Sequence, residues 1–152
     1  MDDASHDNII FNDNFVEKII KRHNKDDSSV IFDYTPSKGK IFKVDQLIRF
    51  RLITELSLMG HLIEDISNLS ILVNLTKLNL SWNKISSILP LMKLTQLETL
   101  RISHNEISQI PKSITSLTNL KLLQISNNPL SDRNIFLTLR QNLNLTCFDF
   151  EF

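Results

Sequence analysis

The residue types that carry most enzymatic and metal chemistry are few and widely separated in this chain. The four histidines are His6, His23, His61 and His104, and no two of them lie four residues apart, as in a helical zinc site. The only cysteine, Cys147, has no sequence partner for a disulfide or a metal site. The sequence therefore predicts no metal site and no cofactor.

Loops that bind phosphate also require residues that this chain lacks. It contains two glycines, Gly39 and Gly60, so neither G-x-x-x-x-G-K-[ST] nor G-x-G-x-x-G occurs. A catalytic Cys147 would need a neighbouring base and a cleft, whereas its position in the pattern described below faces outward beside the last strand. We therefore expect no catalytic residue and no enzymatic activity.

The charge and the termini exclude further classes of partner. Lys plus Arg equals Asp plus Glu at 17 each, so no net field attracts nucleic acid or an anionic membrane. Residues 1–10 have no basic segment followed by an apolar run, and no later stretch is apolar enough to span a bilayer. Together with the single cysteine, these features predict a reducing compartment, the cytoplasm, with the nucleus as the alternative.

A 22-residue pattern of apolar positions organises most of the chain. Its clearest copy consists of Leu75, Leu78, Leu80, Asn83, Ile85, Ile88, Leu91 and Leu94. A recurring period of this length indicates a stack of similar coils. The pattern divides the chain into repeats 31–52, 53–74, 75–96, 97–119 and 120–144, followed by a terminal strand at 145–152.

The L-x-x-L-x-L-x-x-N core of this pattern resembles the leucine-rich repeat family, over about residues 31–152. The resemblance implies an α/β solenoid, an arc with a parallel β-sheet on the concave side and short helical or 3₁₀ turns on the convex side. The I-x-x-I-x-x-L half of the repeat resembles the intracellular subgroup of phosphatase-regulatory and dynein-light-chain repeat proteins. That likeness implies a cytoplasmic or nuclear adaptor, with regulation of a phosphatase or a motor as a specific alternative.

The N-terminal part departs from the regular pattern. We expect residues 1–30 to form a tail and a capping helix at about 14–23, with an apolar stripe of Phe15, Val16, Ile19 and Ile20. This stripe covers the open end of the stack in one interpretation and anchors a membrane or partner in the other; a repeat stack needs such a cap. Repeat 31–52 is degenerate, because Pro36 replaces a strand leucine and Gly39 replaces the asparagine. A proline is tolerated in a first, edge strand.

The return half of each repeat predicts tight turns. In repeats 53–74 and 75–96 the apolar residues recur every third position, which suits 3₁₀ turns better than a long α-helix. Repeat 120–144 is longer and has a more helical pattern at Ile135, Phe136 and Leu139. We therefore expect an irregular convex side towards the C-terminus.

The repeated asparagines predict a structural ladder of Asn83, Asn105 and Asn128. Their amide groups can hydrogen-bond the backbone of their own coil and of the next coil, where an unsatisfied buried group would cost about 1–3 kcal/mol. His61 replaces asparagine at this position of repeat 53–74. It can form similar bonds or be a pH-sensitive weak point, and we favour the first.

Outward-facing strand residues form columns, since equivalent positions in stacked coils lie about 4.8 Å apart. The column at the strand exit contains Lys38, Gly60, Trp82, His104 and Asn127. Trp82, the only tryptophan, is a binding hot spot in one interpretation and packs over its own turns in the other. The residues that we predict to bind a partner are Glu55, Met59, Lys77, Asn79, Trp82, Arg101, His104 and Gln124.

These columns favour a protein or peptide as the partner. Lys77 and Arg101 lie in the middle and can meet an acidic side chain. Six strands of about four residues give a face of roughly 300 Å², whereas a stable interface takes about 800 Å² from each partner. The partner is therefore a peptide or a single helix, or it also contacts a flank.

The alternative to a binding scaffold is a self-associating unit or a piece of a longer repeat protein. Residues 146–152 predict an uncapped strand with Phe148, Phe150 and Phe152 facing inward. Such an edge can pair with a second copy and give a homodimer. Asp149 and Glu151 oppose this pairing, because they would repel their own copies.

Overall fold

The computed structural model of the chain describes residues 29–31, 51–131, 135–141 and 144–149. The predicted capping helix at about 14–23 lies outside the described residues. So do residues 32–50 of the first repeat, with Lys38, and the terminal residues 150–152.

Short parallel strands stack in chain order along the described residues. The six strands are β1 (Ser29–Ile31), β2 (Glu55–Ser57), β3 (Lys77–Asn79), β4 (Thr99–Arg101), β5 (Leu122–Gln124) and β6 (Cys147–Asp149), and they form one sheet in that order. Equivalent positions from β2 to β6 are residues 55, 77, 99, 122 and 147, which matches the lengths of the sequence repeats. This sheet, with the short helical segments behind it, is the predicted solenoid with a parallel β-sheet on one side.

The first strand lies four residues earlier than the 22-residue pattern places it. Val30 pairs with Leu56, whereas the pattern aligns Tyr34 with Leu56. The coil from β1 to β2 is therefore 26 residues long, from 29 to 55. A constant period was the wrong assumption there, because Val30 and Ile31 are β-branched and favour a strand, whereas Pro36 does not.

Each coil from β2 to β6 returns along the opposite side through a short helical segment. The structure has 3₁₀ helices at Ser67–Ile71, Leu89–Lys93 and Lys112–Ser116, and a short α-helix at Ile135–Leu139. Pro90 lies in the first turn of the second segment and Pro111 directly precedes the third, positions at which no backbone donor is needed. The predictions of tight turns and of a more helical last return are confirmed.

The core lies between the sheet and these return segments. Each regular coil contributes its pattern leucines and isoleucines, and Leu80, Leu91 and Leu97 are all completely buried. Burial of each such side chain stabilises the fold by about 1.5–3 kcal/mol. The remaining strand residues are left on the concave face, where they are available for contacts.

Candidate protein-binding surface

The asparagine ladder holds the strand exits together from inside. The side chain of Asn83 donates to the carbonyls of Leu80 (2.8 Å) and Leu58 (2.8 Å), and its Oδ1 accepts the amides of His61 (3.1 Å) and Ile63 (2.9 Å). Asn105 and Asn128 bond in the same way to their own coil and to the coil before. The prediction was wrong in one respect, because the ladder reaches the preceding coil and not the next.

His61, at the ladder position of its own repeat, is fully buried. Its backbone N–H donates to Asn83 Oδ1. It thus takes part in the ladder as a backbone donor to the following coil.

One residue before each ladder position, the chain adopts a left-handed backbone conformation. The φ angles are +80° at Gly60, +61° at Trp82, +56° at His104 and +57° at Asn127. Glycine and asparagine adopt this conformation readily, histidine less so, and a bulky residue such as tryptophan is an outlier there. The turn therefore requires a strained backbone at Trp82, at a cost of about 1–3 kcal/mol.

Trp82 stacks on His104 and is nevertheless open to solvent. The two ring centroids are 3.7 Å apart with an interplanar angle of 15°, and the residue is 53% exposed. Gly60 occupies the equivalent position of the preceding coil. A Cβ built on Gly60 would meet no heavy atom of the described residues within 4 Å, chain neighbours aside. Trp82 therefore packs on the turn of the following coil, whereas the packing interpretation placed it over the turns of its own coil. Its role as a binding hot spot stays a prediction.

Met59 directly precedes Gly60, and Asn79 ends β3 three residues before Trp82. Met59 is 49% exposed, and its sulfur accepts a hydrogen bond from Asn79 Nδ2 at 3.9 Å. Asn79 Oδ1 accepts the backbone N–H of Ser81 at 3.1 Å. Both polar atoms of the Asn79 side chain are therefore used within the protein. The exposed Met59 side chain offers an adaptable apolar contact at the strand exit.

The basic middle of the concave face is smaller than the sequence suggests. Lys77 Nζ lies 2.6 Å from Glu55 Oε1 on the adjacent strand, so this lysine already has a carboxylate partner. Arg101 donates from Nε to Gln124 Oε1 at 2.7 Å and forms no ion pair with any described residue. One of the two predicted cations, Arg101, is therefore left for a partner.

A shallow depression lies between these charged residues. Its volume is about 230 Å³, and it is lined by the residues of β2 and β3 together with Thr99 and Arg101. Leu56 and Leu78 also line it, although their side chains are buried in the core on the other side of the sheet. Arg101 thus forms one wall, and the Glu55–Lys77 pair lies across from it.

Two features of this surface were missed by the sequence reasoning. The strand-exit column shares one backbone conformation, which its mixture of side chains conceals. Glu55 with Lys77, and Glu98 with Lys121 at 2.9 Å, are ion pairs between equivalent positions of consecutive coils. Opposite charges one repeat apart were visible in the sequence, so the second feature could have been predicted.

The described residues offer little for catalysis or metal binding. They contain no group of three or more His, Cys, Asp or Glu side chains that could hold a metal ion. Cys147 is exposed on β6, on the outward side that the pattern predicts. No helix found in these ranges is long and apolar enough to cross a membrane.

The C-terminal edge of the sheet bears on self-association. Among the described strands β6 is the last, and Asp149 is exposed on it. Phe150 and Phe152 lie outside the described residues. A homodimer through this edge stays a prediction.

The comparisons with known proteins agree with this architecture. The Leucine Rich Repeat family model matches residues 74–92 and 96–117. No curated protein matches the chain in sequence.

Several solved structures are similar. Internalin C2 of Listeria monocytogenes has 31% identity and a TM-score of 0.68, over 74% of this chain and 48% of that protein. A leucine-rich repeat protein of Leptospira interrogans has 27% identity and a TM-score of 0.63, over 75% of this chain and 29% of its own length. The functional domain of InlJ from Listeria monocytogenes has 26% identity and a TM-score of 0.60, over 75% and 28%.

This chain therefore spans about half or less of the length of these structures. Their likeness establishes the repeat architecture. The predicted resemblance to the phosphatase-regulatory and dynein-light-chain subgroup stays a prediction.

Proposed function

Because this chain is a leucine-rich repeat protein, we propose that it is a non-enzymatic scaffold that binds another protein. The binding surface consists of the concave face of β2 to β5 and the adjoining strand-exit column of Gly60, Trp82, His104 and Asn127. Repeat stacks of this kind create extended concave surfaces suited to binding. A cytoplasmic or nuclear setting belongs to the proposal, supported by the free, exposed thiol of Cys147.

The observation that carries the proposal is the state of Trp82. A half-exposed tryptophan in a left-handed turn combines two unfavourable features, exposed apolar area and backbone strain. Asn127 shows that the same turn accommodates a residue without either cost. Tryptophan is the residue type most enriched at binding hot spots, and burial under a partner would turn its exposed area into binding energy.

The surroundings of Trp82 support the same use. The side chain of Trp82 is preorganised by its stack on His104, so it loses little conformational entropy when a partner binds. Met59 provides adjacent apolar area, and the space over Gly60 admits a side chain of the partner. Together with Arg101 these residues form a mixed apolar and polar patch, as protein interfaces have.

The test uses Trp82 both as the variant and as the reporter. Peptides of 12 residues without tryptophan are selected from a random library on the full chain and titrated against it, with the fluorescence of the single tryptophan as the signal. We expect a shift in emission and saturable binding at micromolar concentrations.

Two variants decide whether the binding belongs to this surface. Trp82→Asn removes the aromatic and suits the turn, whereas Leu89→Asn removes a leucine that is 59% exposed on the convex side. Calorimetric titration should show that Trp82→Asn weakens binding at least tenfold, while Leu89→Asn changes it less than twofold. Equal losses in the two variants, or no selected peptide that depends on Trp82, would refute the proposal.

A further inference from the structure

We propose that Arg101, oriented by Gln124, is the receptor for a carboxylate side chain, and that the segment bound on this surface is an extended acidic peptide of the partner. This inference rests on the proposed function, because the peptide lies over the depression next to Trp82. It adds the chemistry that selects the partner. A peptide with an Asp or Glu side chain is preferred over one with the corresponding amide.

The hydrogen bond from Arg101 to Gln124 determines which part of the guanidinium is offered. Nε donates to Gln124 Oε1 at 2.7 Å, and the two residues pair directly across β4 and β5. This bond occupies the Nε edge and leaves the two terminal nitrogens as a planar pair of donors. Such a pair matches the two oxygens of a carboxylate in a bidentate contact.

Gln124 also reduces the entropic cost of that contact. An exposed arginine normally samples many rotamers, which must be restricted when it binds. A side chain that is already hydrogen-bonded to a neighbouring strand has lost part of that freedom before the ligand arrives. The arginine is therefore preorganised, in contrast to a surface lysine.

The charges around the depression favour one negative charge in the ligand. On one side Glu55 and Lys77 neutralise each other at 2.6 Å. Thr99 and Asn79, which lie between them and Arg101, are neutral. Asp149 lies two strands from Arg101, with Gln124 between them, and accepts a hydrogen bond from Ser126 at 3.4 Å. Arg101 is thus the one uncompensated charge in the depression among the described residues, and a carboxylate balances it.

The size of the site favours an extended segment over a folded surface. The depression has a volume of about 230 Å³, enough for one or two side chains. Arg101 pairs with Asn79 on the adjacent strand, and Asn79 lies three residues before Trp82. An extended peptide covers such a separation in about three residues. An acidic side chain on Arg101 and an apolar side chain on Trp82 can therefore come from one short segment.

The experiment is a double-mutant cycle between the protein and the selected peptide. Peptides that depend on Trp82 are resynthesised with each Asp or Glu replaced by Asn or Gln, and separately by phosphoserine. Their affinities are measured by calorimetry for the wild-type chain, Arg101→Gln, Arg101→Lys and Glu55→Gln. Circular dichroism verifies that each variant is folded.

We expect the selected peptides to be enriched in Asp and Glu. Replacing the critical acid with its amide, or Arg101 with Gln, should each weaken binding about tenfold, and the two changes together should cost no more than either alone. Arg101→Lys should recover only part of the affinity, because it lacks the planar donors. Glu55→Gln frees Lys77 and should strengthen binding of the acidic peptide about threefold.

Other outcomes separate this inference from the proposed function. Trp82-dependent peptides without enrichment in acids, or an Arg101→Gln variant that binds the acidic peptide as well as the wild type, would overturn the carboxylate site and leave the scaffold intact. Tighter binding of the phosphoserine form by tenfold or more would show that the site selects phosphate, which also overturns it. The absence of any Trp82-dependent peptide would refute both.

Discussion

Two neighbouring positions in the turn after each strand follow opposite rules. The ladder position holds Asn83 and Asn105, each 7% exposed and bonded to two coils. The position before it holds Trp82 and His104, whose side chains face outward from the same turn. The asparagines of the ladder position are selected for their side-chain hydrogen bonds, whereas the outward position demands only a backbone conformation.

This difference shows where the fold leaves room for function. An asparagine in the ladder satisfies backbone groups that strand pairing cannot reach, so few residues can replace it. The outward position accepts Gly60, Trp82, His104 and Asn127 with φ angles within about 25° of one another. A residue that is unfavourable there, such as Trp82, is therefore a sign of a role outside folding.

The largest expected effect follows from breaking the ladder. Asn83→Ala leaves the carbonyl of Leu58 and the amides of His61 and Ile63 without their partner, whereas the carbonyl of Leu80 keeps its bond from Asn105. We expect a loss of about 4 kcal/mol in the free energy of unfolding. Asn127→Ala, on the outward side, should cost about 1 kcal/mol through its left-handed backbone alone. Urea unfolding followed by circular dichroism measures both. Equal losses would mean that the two positions do not follow separate rules.

The second effect contrasts the core with the concave face. Leu80→Ala creates a cavity at a completely buried site and should lower the free energy of unfolding by about 3 kcal/mol. Arg101→Ala removes an exposed side chain with one hydrogen bond and should change it by about 0.5 kcal/mol or less, while it weakens peptide binding. Thermal unfolding of the two variants provides the test. A comparable loss from Arg101→Ala would mean that the concave face is part of the structural framework.

The third expected effect, that of Trp82→Asn on the free energy of unfolding, is nearly zero because two contributions cancel. Trp82→Asn relieves part of the backbone strain, about 1 kcal/mol, because asparagine still has a small cost in this conformation. It also gives up an aromatic stack worth about 0.5–1.5 kcal/mol. The free energy of unfolding should therefore stay within about 1 kcal/mol of the wild type, although binding is lost. His104→Ala is the matched variant, because it removes the stack without relieving the strain at Trp82. It should be less stable than Trp82→Asn, and the reverse order in urea unfolding would contradict the account of strain.

The regular coils could be predicted from the sequence in considerable detail. The positions of β2 to β6, the 3₁₀ returns and the outward side of Cys147 follow from the spacing of leucines, isoleucines and asparagines. Buried positions require apolar residues, so the spacing of these residues in the sequence predicts which segments form strands and turns. The position of β1 was not predicted correctly, because its coil is 26 residues long and a pattern with a fixed period of 22 does not allow for four extra residues.

The candidate site could be predicted only in part. The columns identified Trp82 and Arg101, since they follow from register alone. The bonds within each column were not foreseen, and they decide that Lys77 is engaged by Glu55 whereas Arg101 is oriented by Gln124. Side-chain partners on an exposed face are chosen by length, charge and rotamer, none of which a hydrophobic pattern records.

The smallest effect concerns a hydrogen bond like those of the ladder but exposed to water. Asp65 Oδ1 accepts the backbone N–H of Ser67 at 2.8 Å, and this bond, with one from the Ser67 side chain, lowers the pKa of the Asp65 carboxyl below 3.8. The charged form is thus favoured in the folded state, so the stabilisation is complete above about pH 4 and is lost as the pH falls through the lower folded pKa. Asp65→Asn keeps an acceptor that does not titrate, and its difference in stability from the wild type should shrink between about pH 6 and about pH 3. Urea unfolding at the two pH values gives that difference, and a carbon NMR titration gives the pKa directly. If the stability difference between Asp65→Asn and the wild type did not change with pH, the bond would favour both protonation states of Asp65 equally. The exposure of this bond to water would then not be enough to explain why it stabilises the fold less than the buried bonds of Asn83.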